Sequence, residues 1–304
     1  MNPEVSAERP SLQGLPQLER LRAGPLVAEV VPEVGGSLAA LYTRDSPAEP
    51  RFDWLRPSSE AALRSRSPLE LASFPLLPWC NRIRDGRFEW NGRHVQLAPN
   101  RAGSPHAIHG IGWQRPWRIV SSSAIELVLG LEHPGDEDWP FAFEARQYFT
   151  LAPESFSARM QLTNTAAIEQ PAGLGFHPYF VKRARSRLHV EAAARWESDA
   201  TKLPTRKVAQ PGIDADLAHL DYDHCFEGWR GRARIRDERF SLTLVSELPY
   251  LVVYTPPARD YFCVEPVSHL SNAIHMAEPA AHGLATLAPG ATLEAAMRLD
   301  IAVV

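Results

Sequence analysis

Two titratable residues stand out for the company they keep. His177 lies in Gly173-Leu174-Gly175-Phe176-His177-Pro178-Tyr179-Phe180, an imidazole among aromatic rings and glycines. Glu265 follows Tyr261-Phe262-Cys263-Val264 and precedes a proline. Charged side chains are rarely buried without a partner, so a carboxylate entering such an apolar run points to a cleft. Each residue has an ordinary alternative: a core histidine satisfied by hydrogen bonds, and a glutamate in a surface turn. Brought together in one cleft, an imidazole and a carboxylate would form a general acid–base pair.

Two further segments place polar groups in apolar, glycine-punctuated surroundings, residues 78–88 (PWCNRIRDGRF) and 106–117 (HAIHGIGWQRPW), and a weaker one is 221–226 (DYDHCF). Arg82 reads either as a ligand-binding guanidinium or as an exposed partner of Asp85. His106 and His109 have the spacing of zinc ligands on a helix, but Pro105 and Gly110 argue against a helix there. No paired cysteines or acidic motif complete a metal site. Trp113 and Trp117 read as core, or as an apolar face for a ligand near His109. The sequence contains no glycine-rich turn opening a helix, no G-x-S-x-G elbow and no H-E-x-x-H, so nucleotide folds, serine hydrolases and zincins find no support.

The elements that must position these residues are short strands. Asn91-Gly92 between Phe88-Glu89-Trp90 and His94-Val95-Gln96-Leu97 predicts a hairpin, because Asn-Gly supplies the positive φ angles of a type I′ turn. Strand-like runs recur at Ile125 to Leu131, Ser157 to Thr163, Phe240 to Val245, Tyr250 to Thr255 and Leu293 to Leu299. Helical periodicity is confined to Glu60 to Leu71 and Ile213 to Leu220, and 27 prolines suit loops and strand edges better than long helices. The expected architecture is all-β, a single sandwich-like domain over residues 21–304 behind a flexible N-terminal segment of residues 1–20.

With 304 residues and 44% hydrophobic content, the chain can bury a substantial core. A formal net charge of −4 with interspersed arginines leaves no electrostatic footprint for nucleic acid or an anionic membrane. Its apolar runs fall short of the roughly 20 residues that a membrane helix needs. Three scattered cysteines, Cys80, Cys225 and Cys263, fit a reducing cytoplasm rather than a disulfide framework. No signal peptide is read at the N-terminus.

Taken together, the motifs resemble the aldose 1-epimerase family, the galactose-mutarotase-like proteins, over about residues 25 to 303. The family order runs Asn81-Arg82-Ile83, Gly86-Arg87-Phe88 and Gly92, then Asn100 to His109-Gly110. It continues through His177-Pro178-Tyr179-Phe180, Asp223 before an aromatic, and Glu265-Pro266 with Asn272 beyond. At the histidine, many members carry Asn-His-Ser-Tyr-Phe-Asn, whereas this chain reads Phe176-His177-Pro178-Tyr179-Phe180-Val181 and loses both asparagines, closer to a bacterial branch.

The resemblance implies a large antiparallel β-sandwich, the supersandwich, and an acid–base activity that needs neither metal nor cofactor. Glu265 would be the general base and His177, as an imidazolium, the general acid. Arg82, His109, Asp223 and Asn81 would hold the hydroxyls of a free sugar, with Asp221 a competitor for the aspartate role. Histidine starts near pKa 6.5 and would need little tuning, whereas burial would raise Glu265 from about 4.3. Two alternatives accompany this expectation. An epimerase of hexose 6-phosphates would need Arg82, Arg84, Arg87 and Arg115 to converge on a phosphate. A non-catalytic sugar-binding module would have lost the acid or the base.

Overall fold

The computed structural model describes residues 14–46, 48–237 and 239–303. Of the expected flexible segment, residues 1–13 lie outside the described residues, and the first strand opens at Glu19. Among the described residues, the strands form an eleven-stranded sheet, a nine-stranded sheet and three two-stranded ladders, and every strand pairing is antiparallel. No helix of these residues is long and apolar enough to cross a membrane.

The two large sheets close on one apolar core. Leu41, Phe180, Phe226 and Phe262 from the first sheet join Phe143, Leu162, Leu244 and Leu299 from the second. The central strands of the eleven-stranded sheet, Gly175–Val181 and Tyr261–Val267, are buried on both faces. Phe180, Phe262 and Val264 point into the inter-sheet core, whereas Tyr179, Cys263 and Val267 belong to a second apolar cluster on the opposite face. Burial on two faces explains why these strands read as nearly continuous apolar runs rather than alternating ones.

The predicted hairpin forms as Arg87–Trp90 paired with Arg93–Gln96, with Asn91 and Gly92 at φ 47° and 75°. The expected strands appear as Glu126–His133, Ser155–Asn164, Phe240–Val245, Tyr250–Tyr254 and Thr292–Val303. The helical pattern over 60–71 is half realised. Glu60–Ser65 is an α-helix capped by the Ser59 hydroxyl, which accepts from Ala62 N, and Arg66 at φ 52° ends it. The other helical expectation fails. Gly212–Asp216 is a strand, because Ile213 pairs with Val190 on Arg187–Glu191, and only Leu217–His219 makes a 3₁₀ turn. A cross-strand partner distant in sequence overrode a weak local preference there.

Candidate active site

The site is laid out by register. Gly175 faces Val267 and Tyr179 faces Cys263, so His177 stands across from Glu265 on neighbouring central strands. On the next strands outward, Phe74 pairs with His177, and Val252 pairs with both Glu265 and Cys225. Side chains two apart share a face, so Asp223 joins Cys225, and Cys263 joins Glu265, on the side away from the inter-sheet core.

His177 Nε2 lies 3.3 Å from Glu265 Oε1, and both residues are buried. The imidazole is sandwiched between Phe74 at 4.5 Å and Tyr179 at 4.7 Å, both nearly parallel to it. On the far side of Tyr179 the Arg56 guanidinium stacks at 3.8 Å, held by the Leu69 and Leu71 carbonyls. Burial, aided by the Arg56 charge, pulls the His177 pKa down to about 3. Burial, with Asp223 nearby, pushes Glu265 well above the carboxylate range. Both shifts favour the neutral forms, an imidazole and a carboxylic acid. The sequence-based expectation of an untuned imidazolium is therefore corrected: the aromatic walls that hold the ring also strip its water.

Arg82 and His109 come from a short ladder in which Arg82 pairs with Ile108. Asn81, His109 and Asn272 all take left-handed backbone angles, φ 55°, 63° and 58°. Such angles are uncommon outside glycine, though asparagine and histidine tolerate them best. Backbone bonds from His109 N to Asn81 O and from Asn272 N to Arg82 O, each 2.8 Å, knit the three together. Asn81 Oδ1 accepts from Arg82 Nη1 at 3.0 Å and from the Ser271 hydroxyl at 3.1 Å, so Asn81 orients the guanidinium. Asn100 clamps the same ladder, bonding Ile108 through both backbone groups and the carbonyl of Gly110. The His109 ring meets His177 edge-on at 5.1 Å.

Gly110 is required by space as well as by angle. Its φ is +75°, and a Cβ there would lie 1.8 Å from the Leu77 carbonyl oxygen. Gly110→Ala is expected to cost about 3 kcal/mol or more and to lower the urea midpoint accordingly. An unchanged midpoint would show that this backbone approach does not constrain the fold.

Asp223 lines a small cavity with Asn81, Arg82, Trp196, Lys202 and Ser271. Its carboxylate pairs with Lys202 Nζ at 3.1 Å and acts electrostatically on Arg82 and Glu265. Asp221 is exposed and lines none of it, so Asp223 is the aspartate of the cleft. Trp113 and Trp117 are buried, their indole N–H groups donating to Gly110 O and Gly112 O, which corrects the reading of either as a ligand face. The indole beside the cavity is that of Trp196. His106 and His109 do not form a metal cluster among the described residues; His106 Nδ1 accepts from Asp85 N instead.

The structure therefore brings together all six residues that the sequence nominated and adds Phe74, Tyr179, Arg56, Lys202 and Trp196. Tyr179 was legible as the second residue along a strand from His177. Phe74, Lys202 and Trp196 carried no sequence signal, since cross-strand register and a turn bring them to the site.

A family model for aldose 1-epimerase matches residues 20–300. The chain is 28% identical over 288 residues to the protein YphB of Escherichia coli (strain K12), covering 89% of this chain and 94% of that one. A crystal structure of a candidate aldose 1-epimerase from Escherichia coli K12 superposes with a TM-score of 0.84 at 28% identity, over 95% of this chain and 99% of that one. A galactose mutarotase-like protein from Clostridium acetobutylicum, at 19% identity and TM-score 0.81 over 95% and 98%, shares the fold. With the family model spanning nearly the whole β-sandwich, the chain belongs to the aldose 1-epimerase family.

Proposed function

We propose that this protein interconverts the α and β anomers of a free aldose by opening and reclosing the sugar ring. The observation that carries this reading is the 3.3 Å approach of His177 Nε2 to Glu265 Oε1 beside a cleft walled by Arg82 and Asp223. Opening the ring removes a proton from the anomeric hydroxyl and delivers one to the ring oxygen. A base and an acid suffice for that, and each contributes about 10²–10⁴-fold.

In this mechanism the pair changes tautomer when sugar enters. Hydroxyl groups bonding to Glu265, together with the Arg82 charge, favour the carboxylate and move the shared proton to His177. Glu265 then accepts the anomeric proton, and His177 donates to the ring oxygen. The aldehyde turns about its C1–C2 bond, and the two residues exchange roles as the ring recloses. Arg82, with Asn81 behind it, His109 and Asp223 hold the distal hydroxyls as donors and acceptors. The Lys202–Asp223 pair at the cavity wall must loosen for Asp223 to accept a hydroxyl.

The hexose 6-phosphate reading is less well supported. Arg115 is taken up by Asp136 and Asp138, and Arg87 by Asp85, so neither is available to converge with Arg82 on a phosphate. A binding-only module is disfavoured because acid and base are both retained. Three free, buried cysteines suit a reducing compartment. Polarimetry tests the proposal: the protein is expected to accelerate the rotation change of freshly dissolved α-glucose or α-galactose and to act more slowly on glucose 6-phosphate. A rate equal to the uncatalysed one on every free aldose tried would overturn it.

A further inference from the structure

Cys263 lies two residues before Glu265 on the Tyr261–Val267 strand and therefore shares its face. The sulfur, a nitrogen of His177 and a carboxylate oxygen of Glu265 all lie within 4.8 Å of one another, and all three residues are buried. Glu265 Oε2 and His177 Nδ1 have no hydrogen-bond partner among the described residues, so the carboxylate keeps unused acceptor capacity. We propose that His177, Cys263 and Glu265 form a three-ligand site for a thiophilic divalent ion of the zinc class at the floor of the cleft.

The donor set is the first argument. Imidazole, thiolate and carboxylate are the ligands zinc prefers, and three protein ligands leave a fourth position open toward the cleft. Magnesium and calcium favour six or more oxygen ligands, which this cluster does not offer.

Distances supply the second. Nitrogen and oxygen ligands at about 2.0–2.1 Å from a tetrahedral zinc are about 3.3 Å apart. His177 Nε2 and Glu265 Oε1 are already 3.3 Å apart. A zinc-bound sulfur would stand about 3.6 Å from the nitrogen, so from the 4.8 Å limit Cys263 has at most about 1.2 Å to close.

Electrostatics supplies the third. Burial disfavours the Cys263 thiolate and the Glu265 carboxylate while they are alone. A dication inverts that preference, because it displaces both protons and is neutralised by the two anions it creates. Arg82 and Arg101 oppose a cation here, whereas Asp223 and the two anionic ligands favour one.

Bound there, the ion would occupy both proton-transfer groups and inhibit in competition with sugar. That consequence rests on the proposed acid–base function; the binding itself does not.

The test has two readouts. Cadmium, a spectroscopic stand-in for zinc, is titrated into the purified protein while the thiolate-to-metal ultraviolet band is followed. One equivalent is expected to bind the native protein, with the band retained in Cys225→Ser and lost in Cys263→Ser or Cys263→Ala. In polarimetry, zinc is expected to inhibit the native protein and magnesium to have no effect. Measured against its own metal-free rate, Cys263→Ser should lose sensitivity to zinc by about tenfold or more. Failure of the native protein to bind cadmium, or a band and inhibition that survive in both Cys263 variants, would overturn the site. Should no mutarotation be detected, the cadmium titration still decides the site separately from the function.

Discussion

Glu265→Gln is expected to lower the rate of mutarotation by about 10²–10⁴-fold, with the loss in kcat rather than KM. Glutamine keeps the shape of the side chain and can still bond a sugar hydroxyl, but it cannot take up a proton. Because burial raises the Glu265 pKa and so favours the neutral carboxyl, glutamine matches the favoured charge, and the fold should be as stable as the native one or slightly more so. The variant thus separates chemistry from folding. Activity within about threefold of native, with an unchanged urea midpoint, would remove Glu265 from the proton-transfer step. The effect is large because none of the neighbours of Glu265 along its sheet row, Val252, Cys225, His177 and Phe74, is a carboxylate, and the Asp223 carboxylate of the cleft is paired with Lys202.

The second large effect is acid destabilisation. His177 and His269 have pKa values pulled down to about 3 and about 4 by burial. His269 has no room for a second proton. Its Nε2 accepts from Cys80 N at 3.0 Å, and its Nδ1 lies 2.8 Å from the Leu270 carbonyl oxygen, to which it donates. In the unfolded chain both imidazoles titrate near 6.5. Between about pH 4 and pH 6.5 the unfolded state therefore binds more protons than the folded state, and stability falls as pH drops through this window. At pH 5 each histidine costs about 2 kcal/mol, about 4 kcal/mol together. His106 and His109 shift in the same direction and add to the loss. Glu265 acts with the opposite sign, since its raised value costs stability as pH rises above the ordinary carboxylate range. Urea unfolding at pH 7 and pH 5 measures the difference, and His269→Gln should remove about half of it. Equal stabilities at the two pH values would mean that these histidines titrate normally in the folded protein.

Much of the fold was legible because its signals are local. Asn91-Gly92 encodes a turn whatever surrounds it, and the short apolar runs of 157–163 and 240–245 each became a strand of nearly those bounds. The error at 213–220 has the opposite cause, since Ile213 is held in a strand by Val190, more than twenty residues away. The site follows the same division. His177, Glu265, Arg82, His109, Asp223 and Asn81 could be nominated from residue type and motif order, because each is a polar group in an apolar or glycine-punctuated setting. The choice between Asp221 and Asp223 could not be made that way: Asp223 opens the Asp223–Glu227 strand beside the cavity, whereas Asp221 lies exposed before it.

What the sequence determined by itself was a β-sandwich of the aldose 1-epimerase family and two candidates for an acid and a base. Only the tertiary structure decided their state. The pKa of an imidazole depends on the water it keeps and on the charges around it, and neither is written in its immediate neighbours. Phe74, brought in by pairing across the sheet, and Tyr179, backed by Arg56, close on His177 from two sides and lower its proton affinity. The same packing sets Cys263 beside the pair. A histidine that residue type alone would put near pH 6.5 is shifted down to about 3 by burial.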